Sequence, residues 1–308
     1  MSHPFWYERA LATPSTPADV VVDGVRIHYE TWGEPGRPGI ALVHGSNAHL
    51  EWWRFVAPFL ADRFRVVALD SSGNGDSGWR ERYSAGVLAD EVWAVCGAAA
   101  LGARPVVVGH SFGGFVALET AHRHGAEMGG VIFMDFTVAP REQYIEWGLR
   151  AKREGVAPGR RTRVHPDRET ALSRFRYLPE QPVRHDCVRD YIAGKSLRQV
   201  EGGFTWKFDP TLFDDLEMGA DQCDKFAGLA CRSAVILGED SADEGAFFGD
   251  HMASISAGRL PILVIPGTHH HLMFDEPLAV AMATKALALD WLREDGAGAP
   301  LPQERSSP

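Results

Sequence analysis

The chain is short of cysteine, of positive charge and of long apolar runs, and each shortage argues against a class of protein. Its four cysteines (Cys96, Cys187, Cys223 and Cys231) are widely scattered with no paired Cys-x-x-Cys spacing. That speaks against a disulfide scaffold or a cysteine-based metal module and fits reduced thiols in a cytoplasm. Thirty-one Lys and Arg against forty-one Asp and Glu leave a formal charge of −10, the wrong sign for a phosphate backbone or an anionic bilayer as main partner. The longest purely apolar stretches, such as Ile262 to Ile265, are a handful of residues, against the ~20 that a membrane helix needs. Glu8 and Arg9 stand where a secretory signal needs an unbroken apolar stretch, so a cytoplasmic location is expected. No internal repeat is visible.

What is present is enough to build a core. At 308 residues the chain exceeds the ~150 of one typical domain, so two domains, or one large domain with an insertion, are expected. With 45% hydrophobic and 23% charged residues its composition is that of an ordinary globular protein. From Asp19 to Trp32 two β-prone runs flank Asp23-Gly24, a strong hairpin signal. The runs IALVHG, FRVVALD, RPVVVGH, VIFMDF, RSAVILG and RLPILVIPG follow. They are rich in Val and Ile without polar alternation, the pattern of strands covered on both faces. Helix-like segments, Leu50 to Leu60, Ala85 to Leu101, Gly113 to His124 and Pro277 to Leu292, lie between and after them. Strand alternating with helix predicts a mostly parallel sheet.

That alternation stops between Thr137 and about Gly228. A loop of roughly ninety residues does not suit a compact domain, so an inserted, mostly helical subdomain is expected. The division is then core at 1–139, cap at 140–229, core again at 230–294 and a Gly-, Pro- and Ser-rich flexible tail at 295–308. Arg141 to Asp209 holds fifteen Lys or Arg against ten Asp or Glu, so this stretch is +5 in a chain of −10. A solvated helical surface is the plain explanation; a bias toward anionic substrates is the functional one.

Gly109-His110-Ser111-Phe112-Gly113-Gly114 follows the run PVVV and precedes the helix-like FVALETAHRH. This is Gly-x-Ser-x-Gly between strand and helix, where a Ser is held in a strained turn with its hydroxyl exposed and glycines let neighbouring chain approach. The helix N-terminus presents N–H groups and partial positive charge to a developing oxyanion. A hydroxyl needs a base near neutral pH, and Gly267-Thr268-His269-His270-His271 directly follows the strand run PILVIP. On local grounds any of the three histidines qualifies. They also suit a metal tract, but neighbouring residues point different ways and no ordered Cys or carboxylate set accompanies them, so no metal is expected. The third member required is a buried carboxylate that orients the imidazole. Asp135, closing VIFMD, and Asp240, in ILGEDSAD, stand at strand ends, and Asp243 lies further along. A helix cap or a loop charge is the plain reading of each.

Together these features resemble the α/β-hydrolase superfamily from about Asp19 to Leu292. The resemblance rests on His44-Gly45 after the third strand, DSSGNGDS (Asp70 to Ser77) after the fourth, GHSFGG after the fifth, GTHHHLMFDEP before the last helix, and the chain order nucleophile, acid, histidine. It implies an α/β fold with a mostly parallel eight-stranded sheet, helices on both faces and an inserted helical cap. The superfamily's last motif, Gly-x-Gly-His ahead of a Pro, laid on this sequence with Pro277 in place, implies His270 as the base. His269 then stands where a small residue is usual, and His271 is the other candidate. The commoner arrangement sets the acid about three residues beyond a Gly after the seventh strand, and from Gly238 that position is Ser241. The alternative, used by haloalkane dehalogenases, sets it after the sixth strand in segments such as FMEF, so VIFMDF favours Asp135 over Asp240. The nucleophile of those dehalogenases and of the related epoxide hydrolases is an Asp, so Ser111 argues against both activities.

The resemblance also implies an oxyanion site formed by the backbone N–H groups of Phe112 and Ser46, and a mainly structural role for Asp70 and Gly73 to Ser77. Trp52 and Trp53 are read as core rather than as a substrate stack. The expected function is a serine hydrolase that cleaves an ester or lactone through an acyl-enzyme, with no cofactor. A C–C hydrolase or thioesterase would reuse the same triad, and ligand receptors or cofactor-free oxygenases on this fold form the non-hydrolytic alternative. The expected partner is a small carbonyl compound, with neither nucleic acid nor membrane expected and a homodimer allowed.

Overall fold

The computed structural model describes residues 3–154, 163–214, 216 and 221–295. After a short helix, Phe5–Ala12, the chain enters β1 (Thr16–Val22) and β2 (Val25–Trp32), which pair antiparallel from Thr16 with Thr31 to Val22 with Val25. Asp23 and Gly24 both carry positive φ, 47° and 77°, as a two-residue turn matched to the strand twist requires. Then come β3 (Gly39–Val43), β4 (Arg65–Leu69), β5 (Val106–His110) and β6 (Gly130–Met134), separated by helices. The insert supplies its own antiparallel pair, β7 (Leu197–Val200) and β8 (Gly203–Trp206), before β9 (Arg232–Gly238) and β10 (Ile262–Ile265). The main sheet has eight strands in the order β1-β2-β4-β3-β5-β6-β9-β10, parallel except for the β1–β2 and β2–β4 pairs.

The missing polar alternation has its cause here. Ile40, Leu42, Val66, Val108 and Ile132 pack on one side with Leu60, Ala281 and Trp291, whereas Ala41, Val43, Val67, Val107 and Val131 pack on the other with Leu88, Val92 and Val116. Both faces are covered, so both need apolar side chains. Each fully buried Val or Leu contributes roughly 1.5–3 kcal/mol, which makes these strands a firm platform. The order reverses around β3, with β4 on one side and β5 on the other. Such a switch point opens a crevice at the carboxyl ends of the strands, and there His44-Gly45 leaves β3 and Ser111 leaves β5.

Two elements differ from the sequence expectation. Leu50 to Leu60 is not one helix but a 3-10 turn, Leu50–Trp53, followed by Ala57–Leu60 with Pro58 in its first turn, where a missing N–H removes no helical bond. The insert holds the helices Arg141–Glu154, Arg168–Leu172, Asp186–Lys195 and Gln222–Ala227, but also the β7–β8 hairpin. Strands of four residues are too short to display a period of two. The insert is seated on the core by Asp209, which accepts from the Tyr83 hydroxyl at 2.6 Å, and by the Lys207 carbonyl, which accepts from Gly75 N–H at 2.8 Å. The expected tail lies outside the described residues beyond Asp295.

Candidate active site

β5 ends at His110 and the next helix starts at Phe112, so the whole reversal falls on Ser111. Its φ of 52° and ψ of −123° amount to strain of order 1–3 kcal/mol that the surroundings must hold. The Ser111 N–H donates to the Met134 carbonyl at 3.0 Å, and the Ser111 carbonyl accepts from Gly114 N–H at 2.7 Å. A side chain at Gly113 would meet the carbonyls of Val43 and His44, and a Cβ at Gly45 would stand 3.3 Å from the Ser111 Cβ. These glycines therefore let the loop leaving β3 close on the serine, which stays half-buried.

Phe112 opens its helix, so its N–H has no intrahelical acceptor. Ser46 lies in the facing loop, whose shape is set by His44. Nδ1 of that ring donates to the Gly45 carbonyl at 2.7 Å, and Nε2 accepts from Ser71 N–H at 3.1 Å. This arrangement needs a neutral imidazole, and burial pushes the His44 pKa down to about 4.

The three histidines after β10 are separated by their contacts. His269 turns to Asp275, with its N–H and its Nδ1 at 2.8 and 3.2 Å from Oδ2. His271 packs among Trp52, Tyr177 and Phe274, ring centroids 5.1, 5.4 and 5.9 Å away, and its N–H donates to Gln181 Oε1 at 2.7 Å. His270 places Nδ1 2.7 Å from Asp135 Oδ2, and the two side chains are 3% and 0% exposed.

Asp135 is the first residue beyond β6 and has a φ of 45°. Its N–H donates to the Ile236 carbonyl at 2.8 Å, which keeps it in the line of the sheet. Oδ1 accepts from Gly238 N–H at 2.9 Å, and Oδ2 accepts from the Ser241 hydroxyl at 2.5 Å as well as from His270. Asp240 is exposed, and among the described residues its carboxylate does not touch His270. Asp243 approaches the opposite edge of the imidazole, Oδ2 lying 3.9 Å from Nε2, while its Oδ1 accepts from Gly245 N–H at 2.8 Å.

His110 joins the two halves of the site. Its Nε2 donates to the carbonyl of His270 at 2.8 Å, and the two rings lie 4.8 Å apart. Burial, together with neighbouring imidazoles, holds both His110 and His271 well below the usual histidine range. The nearest ligating atoms of His110, His270 and His271 lie within 4.8 Å of one another. Zinc–nitrogen bonds of ~2.0–2.1 Å would set tetrahedral ligand atoms roughly 3.4 Å apart, and two of these rings already engage Asp135 and a backbone carbonyl. An imidazole network fits the cluster better than a metal centre.

His110, Gln181 and the hydroxyl of Ser241 are the participants that sequence reasoning missed, and His44 was named there only as part of a motif, without its part in shaping the loop. Ser241 did carry a signal, since it occupies the position of the commoner acid. Asp70 is structural as expected, its carboxylate accepting from Leu50 and Asp76 N–H at 2.7 Å each. Trp53 is fully buried, whereas Trp52 both packs on His271 and lines a cavity of about 780 Å³ between core and insert. That volume lies within the ~300–1,000 Å³ of small-molecule sites. All four cysteines are free, and among the described residues no helix is long and apolar enough to cross a membrane.

Among curated proteins, the probable oxidoreductase EphD of Mycobacterium tuberculosis is 37% identical over 134 residues, 42% of this chain and 23% of its own length. The haloalkane dehalogenase of Sphingobium indicum is 31% identical over 135 residues, 42% of this chain and 43% of its own. The chain thus spans less than half the length of these relatives. Among solved structures, E-2-(acetamidomethylene)succinate hydrolase is similar with a TM-score of 0.74 over 90% of this chain and 100% of that one, at 19% identity, a likeness of fold. The sequence profile of the Alpha/beta hydrolase family matches residues 40–283, a span that takes in Ser46, Ser111, Asp135 and His270, and the chain belongs to that family.

Proposed function

We propose that the protein is a serine hydrolase that cleaves a carboxylic ester or lactone through an acyl-enzyme. Ser111 attacks the carbonyl, and Nε2 of His270 takes its proton and returns it to the leaving group. Asp135 keeps Nδ1 protonated and supports the imidazolium, and water then releases the acyl group. The N–H groups of Phe112 and Ser46 receive the oxyanion, each such donor contributing ~2.7–4 kcal/mol to the transition state. The residues of the insert at 140–229 act as a cap that selects substrate.

The observation that carries this reading is the buried 2.7 Å contact between His270 Nδ1 and Asp135, which leaves Nε2 as the basic nitrogen. An oxygen leaving group asks for no group beyond the triad and the oxyanion donors, which is why an ester or lactone stands ahead of a thioester or a C–C bond. The test is a panel of p-nitrophenyl esters with wild type and Ser111→Ala, alongside a fluorophosphonate probe. Turnover should vanish in the variant, and the phosphonyl adduct should sit on Ser111. Unchanged turnover, or labelling at another residue, would overturn the assignment.

A further inference from the structure

We propose that the cap cavity is an anion-binding subsite: the substrate carries, besides its scissile ester, a second acidic group selected by Arg174 and Arg176. The ester part rests on the serine-hydrolase reading; the subsite itself does not. Among the described residues, the sixteen that line the cavity include Arg163, Arg174, Arg176 and Lys207 and not one Asp or Glu. At the composition of this chain, forty-one acidic residues in 308, a lining of that size would hold about two carboxylates. Excess cation in a concave, partly apolar site concentrates field lines and draws anions.

The four cations are not equivalent. Lys207 is neutralised by Asp76 at 2.8 Å. Among the described residues no carboxylate pairs with Arg163, Arg174 or Arg176. Arg176 is held by its own turn, Nη1 donating to the carbonyls of Ser173 and Phe175 at 3.0 and 2.6 Å. Carbonyls fix the guanidinium without cancelling its charge, and its remaining hydrogens stay free for a planar anion. Phe175 and Trp206, 6.0 Å apart, supply apolar surface beside it. The cavity borders the candidate chemistry, because Ser46 and Trp52 belong to its lining, Gly45 before Ser46 faces Ser111, and Trp52 packs on His271. A ligand held among these cations thus lies beside the loop that closes on Ser111.

Two matched pairs of esters test the idea. One pair is mono-p-nitrophenyl adipate against its methyl diester, which varies charge on the acyl side. The other is the butyrate ester of 4-hydroxybenzoate against that of methyl 4-hydroxybenzoate, which varies it on the alcohol side. In at least one pair kcat/KM should favour the anion by about tenfold, the weight of one charge-assisted hydrogen bond. The ratio should fall toward one in Arg174→Gln/Arg176→Gln and shrink in 0.5 M salt, roughly as exposed charges are screened. No preference in either pair, or a preference that survives the double variant, overturns the proposal. If neither ester turns over and the fluorophosphonate fails to label Ser111, the serine-hydrolase reading falls by itself. The subsite is then read by calorimetric binding to Ser111→Ala, in which adipate should bind and dimethyl adipate should not, and adipate binding should be lost with the two arginines.

Discussion

The hydroxyl of Ser241 and Nδ1 of His270 donate to the same oxygen, Oδ2 of Asp135, at 2.5 and 2.7 Å. Position 241 is where the commoner arrangement of this fold would place the acid itself. In the proposed triad the charge therefore sits after β6, and the site after β9 supplies a donor to it. Such a donor fixes the carboxylate so that its oxygen meets the imidazole edge. Removing a hydrogen bond to a charged group sacrifices part of ~1.5–3 kcal/mol, so Ser241→Ala should lower kcat about tenfold and leave KM nearly unchanged. Steady-state kinetics would show this, and an unaltered kcat would make the hydroxyl merely structural.

Asp135→Asn should be far more severe. The amide presents a donor as well as an acceptor, the wrong imidazole tautomer follows, and the loss in the triad template is about 10⁴ in kcat. Because Ser241 already touches Oδ2 of Asp135, Asp135→Asn/Ser241→Asp should regain at least about tenfold of that loss. The same assay on the single and double variants measures it. Equal activity in the two would show that a carboxylate at 241 cannot serve His270.

Some of this site was legible in the sequence because its geometry is local. A strained turn such as that at Ser111 needs its flanking glycines contiguous, and the Asp23-Gly24 hairpin likewise announces itself in two residues. The choice among His269, His270 and His271 was not local. It follows from which way each ring turns, and that is set by Asp275, Asp135 and Trp52, residues between 6 and 219 positions away. Asp135 and Asp240 are alike on local grounds for the same reason, and only the resemblance favours Asp135. The first residue past β6 is enclosed by β5 and β9, whereas Asp240 stands two past β9 and reaches solvent. The insert's positive charge is visible in the sequence, but folding alone determines which of its arginines line the cavity.

The seat of the insert yields a stability prediction. Glu51 accepts from Arg54 Nε and from the Tyr191 hydroxyl at 2.8 Å each, and pairs with Lys195 at 2.8 Å. Burial alone would raise its pKa, but the bonds and charges of Arg54 and Lys195 hold it at about 2. That lies below the unfolded value, so its contribution is present above pH ~4.5 and lost as pH falls through the folded value. Glu51→Gln leaves Arg54 with Glu30 as its carboxylate, 2.7 Å away. Breaking a buried pair costs about 3–5 kcal/mol, and the remaining partner places this variant near the lower figure. Calorimetry should show Tm reduced by several degrees at pH 7, with the gap closing in acid. An unchanged Tm would show that the network is neutral for stability.

Acid should unfold this protein early. Burial pushes the pKa of His44 down to about 4 and that of His49 to about 3, and holds His110 and His271 well below 6.5. Below pH ~6.5 an unfolded chain protonates all four while the native state leaves them neutral, so the unfolded state binds more protons and stability falls as pH falls. Asp70 acts in the opposite sense, since burial raises its pKa to about 7 and the native state keeps a proton that the unfolded chain releases. Glu91, also raised by burial, adds to that at lower pH. The histidines outnumber these acids, leaving about three extra protons on the unfolded chain near pH 5 and a slope of at most about 4 kcal/mol per pH unit. Urea denaturation midpoints at pH 7, 6 and 5 should drop in steps that grow toward pH 5. Equal midpoints would mean that these four imidazoles are not held neutral by the fold, and His49→Gln, which removes one of the net three protons, should flatten the drop by about a third.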